Sequence, residues 1–265
     1  MTFKQKIQNL IFPLGSVQTI KMGYLKGFKI RLSKNSLWSP LIGNWEPAMQ
    51  RIMKAVVKPG HVAYDVGANN GLHGLLLSTI VGDKGHVFNF EPLPSNIEEI
   101  TENFQLNNLR NYTNVCAAVS DSDGIIRFEL GDHDKQGHIA GAAANGKGID
   151  VKTISLDSFI EKGNPAPDFI KMDIEGAEGA ALQGFERNIG KKHPLMIIEL
   201  HGIQQDLMVG KFLKKYNYTA YRFDPFKKLH FTKITDLEKP HPHPDGVWGS
   251  IFCVGPDKSF ENYQF

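Results

Sequence analysis

Four side chains on two apolar runs have the types and spacing for acid–base chemistry. In Phe169-Ile-Lys-Met-Asp173, strand alternation puts Lys171 and Asp173 on one face, with Ile170 and Met172 on the other. In Leu195-Met-Ile-Ile-Glu-Leu-His201 the same alternation pairs Glu199 with His201. A strand covered on both faces rarely carries charge. A buried, unpaired Lys or Asp is costly, so these groups must meet partners. If the two strands are neighbours, Lys171, Asp173, Glu199 and His201 form one polar cluster at the strands' carboxyl ends. Such a cluster can hold an acceptor oxygen and take its proton. Asp173, Glu199 and His201 are the candidate bases, and Lys171 is expected to pair with a carboxylate. The structural alternative is a buried Lys171–Glu199 ion pair that only ties two strands together. Glu175 and Glu178 follow at the start of a helix, where its positive end already suits acids. Asp173, Glu175 and Glu199 also offer hard oxygen ligands for a divalent cation. That is the lesser reading, and no metal ligands are assigned.

A second constellation lies upstream. Val62-Ala-Tyr-Asp-Val-Gly-Ala-Asn-Asn-Gly71 is a short apolar run that ends in a glycine turn, with a helix beginning directly after it. In an open α/β sheet, ligands bind beyond the carboxyl ends of such strands. The helix start is expected to offer unpaired N–H groups. The dinucleotide pattern Gly-x-Gly-x-x-Gly would need glycine where Asn69 stands. Asp65 would also repel a pyrophosphate. It is suited instead to an amino group, as in the zwitterionic end of S-adenosylmethionine. Glu91 ends the following strand, where an acid can take both hydroxyls of a ribose. Pro92 then fixes the chain direction. Asp65, Gly67, Ala68, Asn69, Asn70, Gly71, Glu91 and Pro92 make up this candidate cofactor site.

With Asp65-Val-Gly-Ala-Asn69, Phe90-Glu-Pro92, Ala117-Ala-Val-Ser-Asp121 and Ile170-Lys-Met-Asp-Ile-Glu-Gly-Ala-Glu178, the sequence resembles the FkbM family of S-adenosylmethionine-dependent methyltransferases. Leu182-Gln-Gly184 and Ile197-Ile-Glu-Leu200 extend the resemblance, which runs from about residue 46 to 202. It implies a Rossmann-like class I methyltransferase fold: α/β, with a seven-stranded, mostly parallel sheet whose last strand is antiparallel. It also implies O-methylation of a hydroxyl on a small molecule, a sugar or glycan, or a polyketide-type product. On the same ground Asn96, Ala118, Ser120 and Asp173 join the cofactor set. Glu46 is expected to reach it as the N-terminal segment folds over the pocket. Asn70 stands where members often carry an apolar residue.

The elements that must position these groups follow from periodicity. Residues 1–60 read as an N-terminal cap, with a hairpin in Thr19–Leu32 and a helix over Pro47–Val57. Residues 61–265 read as the cofactor-binding domain. Strands are expected at Val62–Val66, His86–Glu91, Val115–Val119, Phe169–Met172 and Leu195–Leu200. Helices are expected at Gly71–Val81, Pro94–Leu109, Ala177–Phe185 and Gln204–Tyr216. Strands that alternate with helices argue a parallel sheet. Gly124–Leu130 and Ile149–Ile154 suggest a hairpin arm around the loop Gly131–Gly148. Tyr218–Phe223 and Trp248–Val254 have no helix between them and are expected to pair antiparallel at one sheet edge.

Composition bounds the remaining classes. The chain has 265 residues, 41% hydrophobic and 22% charged, which is an ordinary folded balance. A net charge of +2 and scattered lysines do not make the basic stripe of a nucleic-acid binder. Cys116 and Cys253 both sit in apolar runs, read as buried and unpaired, which fits a reducing cytoplasmic compartment. The run Ile7–Leu14 is too short and too interrupted to span a bilayer. Trp38, Trp45 and Trp248 are candidates for an apolar wall over the substrate or for core packing, and His241-Pro-His-Pro-Asp245 for a proline-stiffened loop, a metal-ligating pair or a substrate entrance. Partners are therefore expected to be a small-molecule or saccharide acceptor, with no nucleic acid and no membrane span. Oligomeric state is not legible, a homodimer being one option. Three rival classes are a nicotinamide-dependent oxidoreductase, a non-catalytic cofactor- or sugar-binding module and a nucleic-acid methyltransferase, the last disfavoured by the near-neutral charge.

Overall fold

The computed structural model describes residues 13, 15–32, 39–43, 45–130, 137–139 and 148–265. Trp38, most of Ile7–Leu14 and most of the loop Gly131–Gly148 lie outside the described residues.

The first described elements are an antiparallel pair, β1 (Val17–Thr19) and β2 (Lys29–Arg31), which starts two residues before the expected hairpin. Helix α1 (Pro47–Val56) starts at Pro47, whose fixed φ suits a first turn. Then come β3 (Val62–Val66), α2 (Leu72–Val81), β4 (His86–Phe90), α3 (Pro94–Leu106) and β5 (Tyr112–Val115). An arm follows, made of β6 (Ala118–Val119), β7 (Gly124–Leu130), β8 (Gly137–Ile139) and β9 (Gly148–Ile154). The chain continues through α4 (Leu156–Glu161), β10 (Phe169–Met172), α5 (Glu178–Gln183), α6 (Ile189–Lys192), β11 (Leu195–Glu199) and α7 (Ile203–Lys215). It closes with β12 (Thr219–Phe223), β13 (Thr232–Lys233) and β14 (Ser250–Val254).

The main sheet has the order β13-β12-β14-β11-β10-β3-β4-β5. The strands β11, β10, β3, β4 and β5 run parallel, and β14 is antiparallel to both β11 and β12. This is the Rossmann-like α/β arrangement with a reversed last strand. The two-residue β13 adds an eighth member at the edge of β12.

The last two strands pair antiparallel at one end of the sheet as expected, and β14 slots between β11 and β12. Burial explains it: every residue of Ser250–Val254 is buried, as an interior strand requires, whereas β12 and β13 carry half-exposed and exposed positions. The run Val115–Val119 is not one strand. The Ala117 N–H turns back to the Val115 carbonyl, and Ala118–Val119 leaves for a separate four-stranded sheet, β6-β9-β7-β8. Cys116 sits at that break and is exposed, so only Cys253 is the buried thiol expected of both. Helix α4 is not among the helices expected from periodicity; Ser155 caps it, its Oγ accepting the Ser158 N–H at 3.1 Å.

Apolar clusters form on the two faces of the sheet. One joins Ile20, Ile30, Met49 and Ile52 of the first sixty residues to Leu75, Ile197 and Phe252. The other gathers Tyr64, Phe90, Ile170, Met172, Ile198 and Trp248. With Ile170 and Met172 in the second cluster, alternation turns Lys171 toward the face that carries α1 and α2. No helix among the described residues is long and apolar enough to cross a membrane.

Candidate active site

Register decides which charges meet. Lys171 stands opposite Asp65 on β3 and opposite Ile197 on β11. Its ammonium lies 3.6 Å from Asp65 Oδ1 and 3.6 Å from Asp173 Oδ2. It donates to the Gly67 carbonyl at 3.0 Å. Lys171 thus pairs with carboxylates as expected, bridging Asp65 and Asp173 in place of the alternative pair with Glu199. Asp65 is 0% exposed and Lys171 2%. Burial alone would pull the Lys171 pKa down, but Asp173, Asp65, Glu46 and Glu199 outweigh it and raise the pKa. These acids thus favour its charged form.

The glycine turn wraps this cation. Gly67 has φ 79°, and a Cβ there would sit 1.9 Å from the Asp173 carbonyl oxygen. Gly67→Ala is therefore expected to cost at least about 1–3 kcal/mol of backbone strain. At 2–4 °C per kcal/mol for a chain of about this size, that is a clear drop in thermal midpoint. Asn69 also takes positive φ, which Asn tolerates better than most residues. The N–H groups of Gly67, Ala68, Asn69 and Gly71 are held within the protein. Those of Gly67 and Ala68 go to the Phe90 carbonyl, and that of Gly71 to the Ala68 carbonyl. The Asn69 N–H holds Glu91 Oε2 at 2.9 Å.

Glu91 is fixed from both sides. Its Oε1 accepts the Leu93 N–H at 3.0 Å and the Asn96 amide at 3.2 Å. Burial pushes its pKa up to about 7, against these hydrogen bonds and the Lys171 charge. Asn96 is thus a positioning residue for Glu91. Asn70 is braced by Asn103, whose amide donates to its carbonyl at 3.1 Å. Gly71 caps α2 against Ile100. Pro92 accepts the Cys116 thiol at 3.8 Å, and Ala118 packs with Leu93 beside the Glu91 turn. Ser120 donates its N–H to Ile154, and its carbonyl faces Gly184.

Glu46 reaches the site from the N-terminal segment. Its Oε2 lies 2.8 Å from His73 Nε2 on the first turn of α2, and the Trp45 ring packs 4.3 Å from the His73 ring. Burial raises the Glu46 pKa, but His73 and Lys171 outweigh that and lower it.

Past β10 the chain turns sharply, with Glu175 at φ 52° and Gly176 at φ 100°. Gln205 clamps this turn, donating to the Gly176 carbonyl at 2.6 Å and accepting the Gly179 N–H at 2.8 Å. The turn brings three carboxylates around His201. Its Nδ1 lies 2.9 Å from Glu178 Oε1, and its Nε2 lies 3.5 Å from Glu175 and 3.8 Å from Asp173. Burial pulls the His201 pKa down, but the Glu178 hydrogen bond and the charges of Glu178, Asp173 and Glu175 prevail and raise it to about 9. His201 is then an imidazolium at neutral pH. Glu199 is shifted differently. Burial, with Asp173 and Glu46 nearby, pushes it up to about 7, against His201 and Lys171. Among the described residues the donors that approach within 4.8 Å of one another are Asp173, Glu175 and His201, so His201 replaces Glu199 in the cation-type set drawn from the sequence.

Beyond Glu199 a cavity of about 470 Å³ opens along the strand ends, lined among others by Arg222, Phe223, Trp248 and Ser250. Buried Asp206 ties its outer loop, accepting the His241 N–H at 3.0 Å and the Trp248 N–H at 2.8 Å. Asp206, Gln205, Asn103 and Arg222 were not singled out in the sequence. Polar residues inside helix and strand runs gave no signal of these roles.

The family model described as Methyltransferase FkbM domain matches residues 65–220. Hexuronic acid methyltransferase AglP of Haloferax volcanii is 28% identical over 233 residues, covering 81% of this chain and 90% of that protein. Among solved structures, methyltransferase FkbM of Methylobacillus flagellatus KT aligns with a TM-score of 0.46 at 19% identity. That alignment covers 73% of this chain and 43% of the other, so this chain spans under half of that relative's length. Aeropyrum pernix fibrillarin, solved with S-adenosyl-L-methionine, aligns with a TM-score of 0.44 at 12% identity, over 78% of this chain and 73% of the other.

Proposed function

The chain belongs to the FkbM methyltransferase family, and from that premise we propose that it moves a methyl group from S-adenosylmethionine to a hydroxyl of a saccharide. The observation that carries the cofactor reading is Asp65. It is fully buried, and neither carboxylate oxygen accepts a hydrogen bond among the described residues. Such an acceptor suits an ammonium group or a water bound to one. Asp65, the glycine turn and Glu91 would hold the cofactor's amino-acid and ribose ends. Asn96 sets the Glu91 carboxylate, and Glu46 would bring its segment to the pocket through His73. Bound there, the cofactor supplies an electrophilic methyl on a sulfonium. The chain must then align the acceptor oxygen and take its proton.

Glu199 is the base that best suits this task. It borders the cavity, and burial beside Asp173 and Glu46 pushes its pKa up to about 7. Asp173 and Lys171 position the reacting groups, and His201 stays charged. The imidazolium of His201 and the ammonium of Lys171 supply the positive charge that Asp173, Glu175 and Glu178 require, so we assign no metal. A saccharide acceptor is supported by the name of the 28%-identical relative, a hexuronic acid methyltransferase. A cytoplasmic location is supported by two free cysteines. Family membership disfavours the oxidoreductase and the non-catalytic module.

Isothermal titration with S-adenosylmethionine, with NAD as control, tests this reading. The wild type is expected to bind the sulfur cofactor and not NAD. Glu91→Ala removes charged hydrogen bonds of about 1.5–3 kcal/mol, about a 10- to 150-fold loss of affinity. A folded wild type that binds no S-adenosylmethionine sinks the proposal.

A further inference from the structure

We propose that the cavity beside Glu199 is the acceptor subsite and that Arg222 and Lys228 make it select saccharides carrying an anionic group. The inference rests on the methyltransferase reading above and adds the acceptor's chemistry to it. Position is the first argument. Glu199 on β11 and Phe223 on β12 both stand opposite Ser250 on β14, so three adjacent strand ends line one wall. The same edge, followed the other way, runs through Lys171 to Asp65. Cofactor turn, acid–base cluster and cavity thus succeed one another along a single sheet edge, as a two-substrate transfer needs.

Charge is the second argument. Arg222, Lys227, Lys228 and His230 line the cavity, against Glu199 and Asp224. Lys227 is matched by Asp224 at 2.8 Å. Among the described residues no carboxylate forms an ion pair with Arg222 or Lys228. One guanidinium nitrogen of Arg222 donates to His241 Nε2 at 2.7 Å. Its remaining donors are suited to a carboxylate or phosphate, which a guanidinium can grip through two parallel hydrogen bonds.

Apolar surface is the third argument. Trp248 and Phe223 are nearly fully buried in the wall, and Phe226 is 69% exposed in the lining. The exposed Phe226 ring offers an apolar surface to the C–H face of a sugar, and Arg222 and Lys228 line the same cavity for its acidic substituent. A neutral sugar would leave both cations unmatched.

The test is acceptor-analogue binding to the full chain with S-adenosylhomocysteine present, followed by NMR titration. The probes are methyl glucuronide, glucose 1-phosphate and methyl glucoside. At least one anionic probe is expected to bind tenfold or more tighter than the neutral glucoside. Whichever wins distinguishes a carboxylate from a phosphate. Arg222→Ala and Lys228→Ala are each expected to erase most of that preference while S-adenosylhomocysteine affinity stays unchanged. Equal affinity for neutral and anionic probes, no affinity for either anion, or a preference indifferent to both substitutions overturns the proposal. Loss of S-adenosylhomocysteine binding by the wild type would instead strike the methyltransferase reading, and the probes titrated alone would still judge the groove.

Discussion

Lys171→Met is expected to destabilise the protein by about 3–5 kcal/mol, the cost of leaving a buried charge without its partner. Asp65 is fully buried and takes no hydrogen bond among the described residues, so the Lys171 ammonium at 3.6 Å is what keeps its charge tolerable. The same substitution strips Asp173 of a cation and the Gly67 carbonyl of its donor. Methionine fills the space of the stem, so the loss reports charge more than volume. The companion variant Asp65→Asn/Lys171→Met removes both charges. It is expected to recover much of the loss, because replacing both members of a buried pair is often close to neutral. Urea unfolding of the two variants and the wild type measures this. A single variant within about 1 kcal/mol of wild type would show that Asp65 finds its compensation elsewhere. The double variant is expected to fold yet bind S-adenosylmethionine poorly, which separates the stabilising duty of the pair from its duty toward the ligand.

That experiment bears on what could be read from the chain. Strand alternation placed Lys171, Asp173, Glu199 and His201 correctly at two strand ends, because period two is a local property. It could not name Lys171's partner, which depends on the register between β10 and β3, strands about a hundred residues apart. The same distinction accounts for β14. Its apolar run was visible, but its slot between β11 and β12 follows from burial on both faces, a property of the assembled sheet. Glu178 shows a third kind of limit. At a helix start an acid has a sufficient local reason to exist. Its grip on His201 arises from the turn through Glu175 and Gly176, a conformation that sequence spacing does not encode. The break at Cys116, between β5 and β6, is likewise a change of sheet within an unbroken apolar run.

The pH dependence of turnover follows from the same cluster and separates the candidate bases. A base must be deprotonated to accept the acceptor's proton. With Glu199 in that role, kcat/KM is expected to rise with pH through about 7 and then level. With His201 in that role it would keep rising through about 9. The structure favours the first, since Glu199 borders the cavity and the charge of His201 is held by three carboxylates. Glu199→Gln keeps the shape and removes the basic oxygen. It is expected to lower kcat by about 10²–10⁴ and to abolish the limb near 7. S-adenosylmethionine affinity should hold, because the proposed cofactor contacts lie at Asp65 and Glu91. His201→Gln acts through Glu199 instead. The imidazolium lowers the Glu199 pKa, so its removal is expected to move the limb to higher pH with a smaller loss of plateau rate. A wild-type profile that climbs through 9, and flattens in His201→Gln, would transfer the base to His201 and return Glu199 to a spectator at the cavity wall.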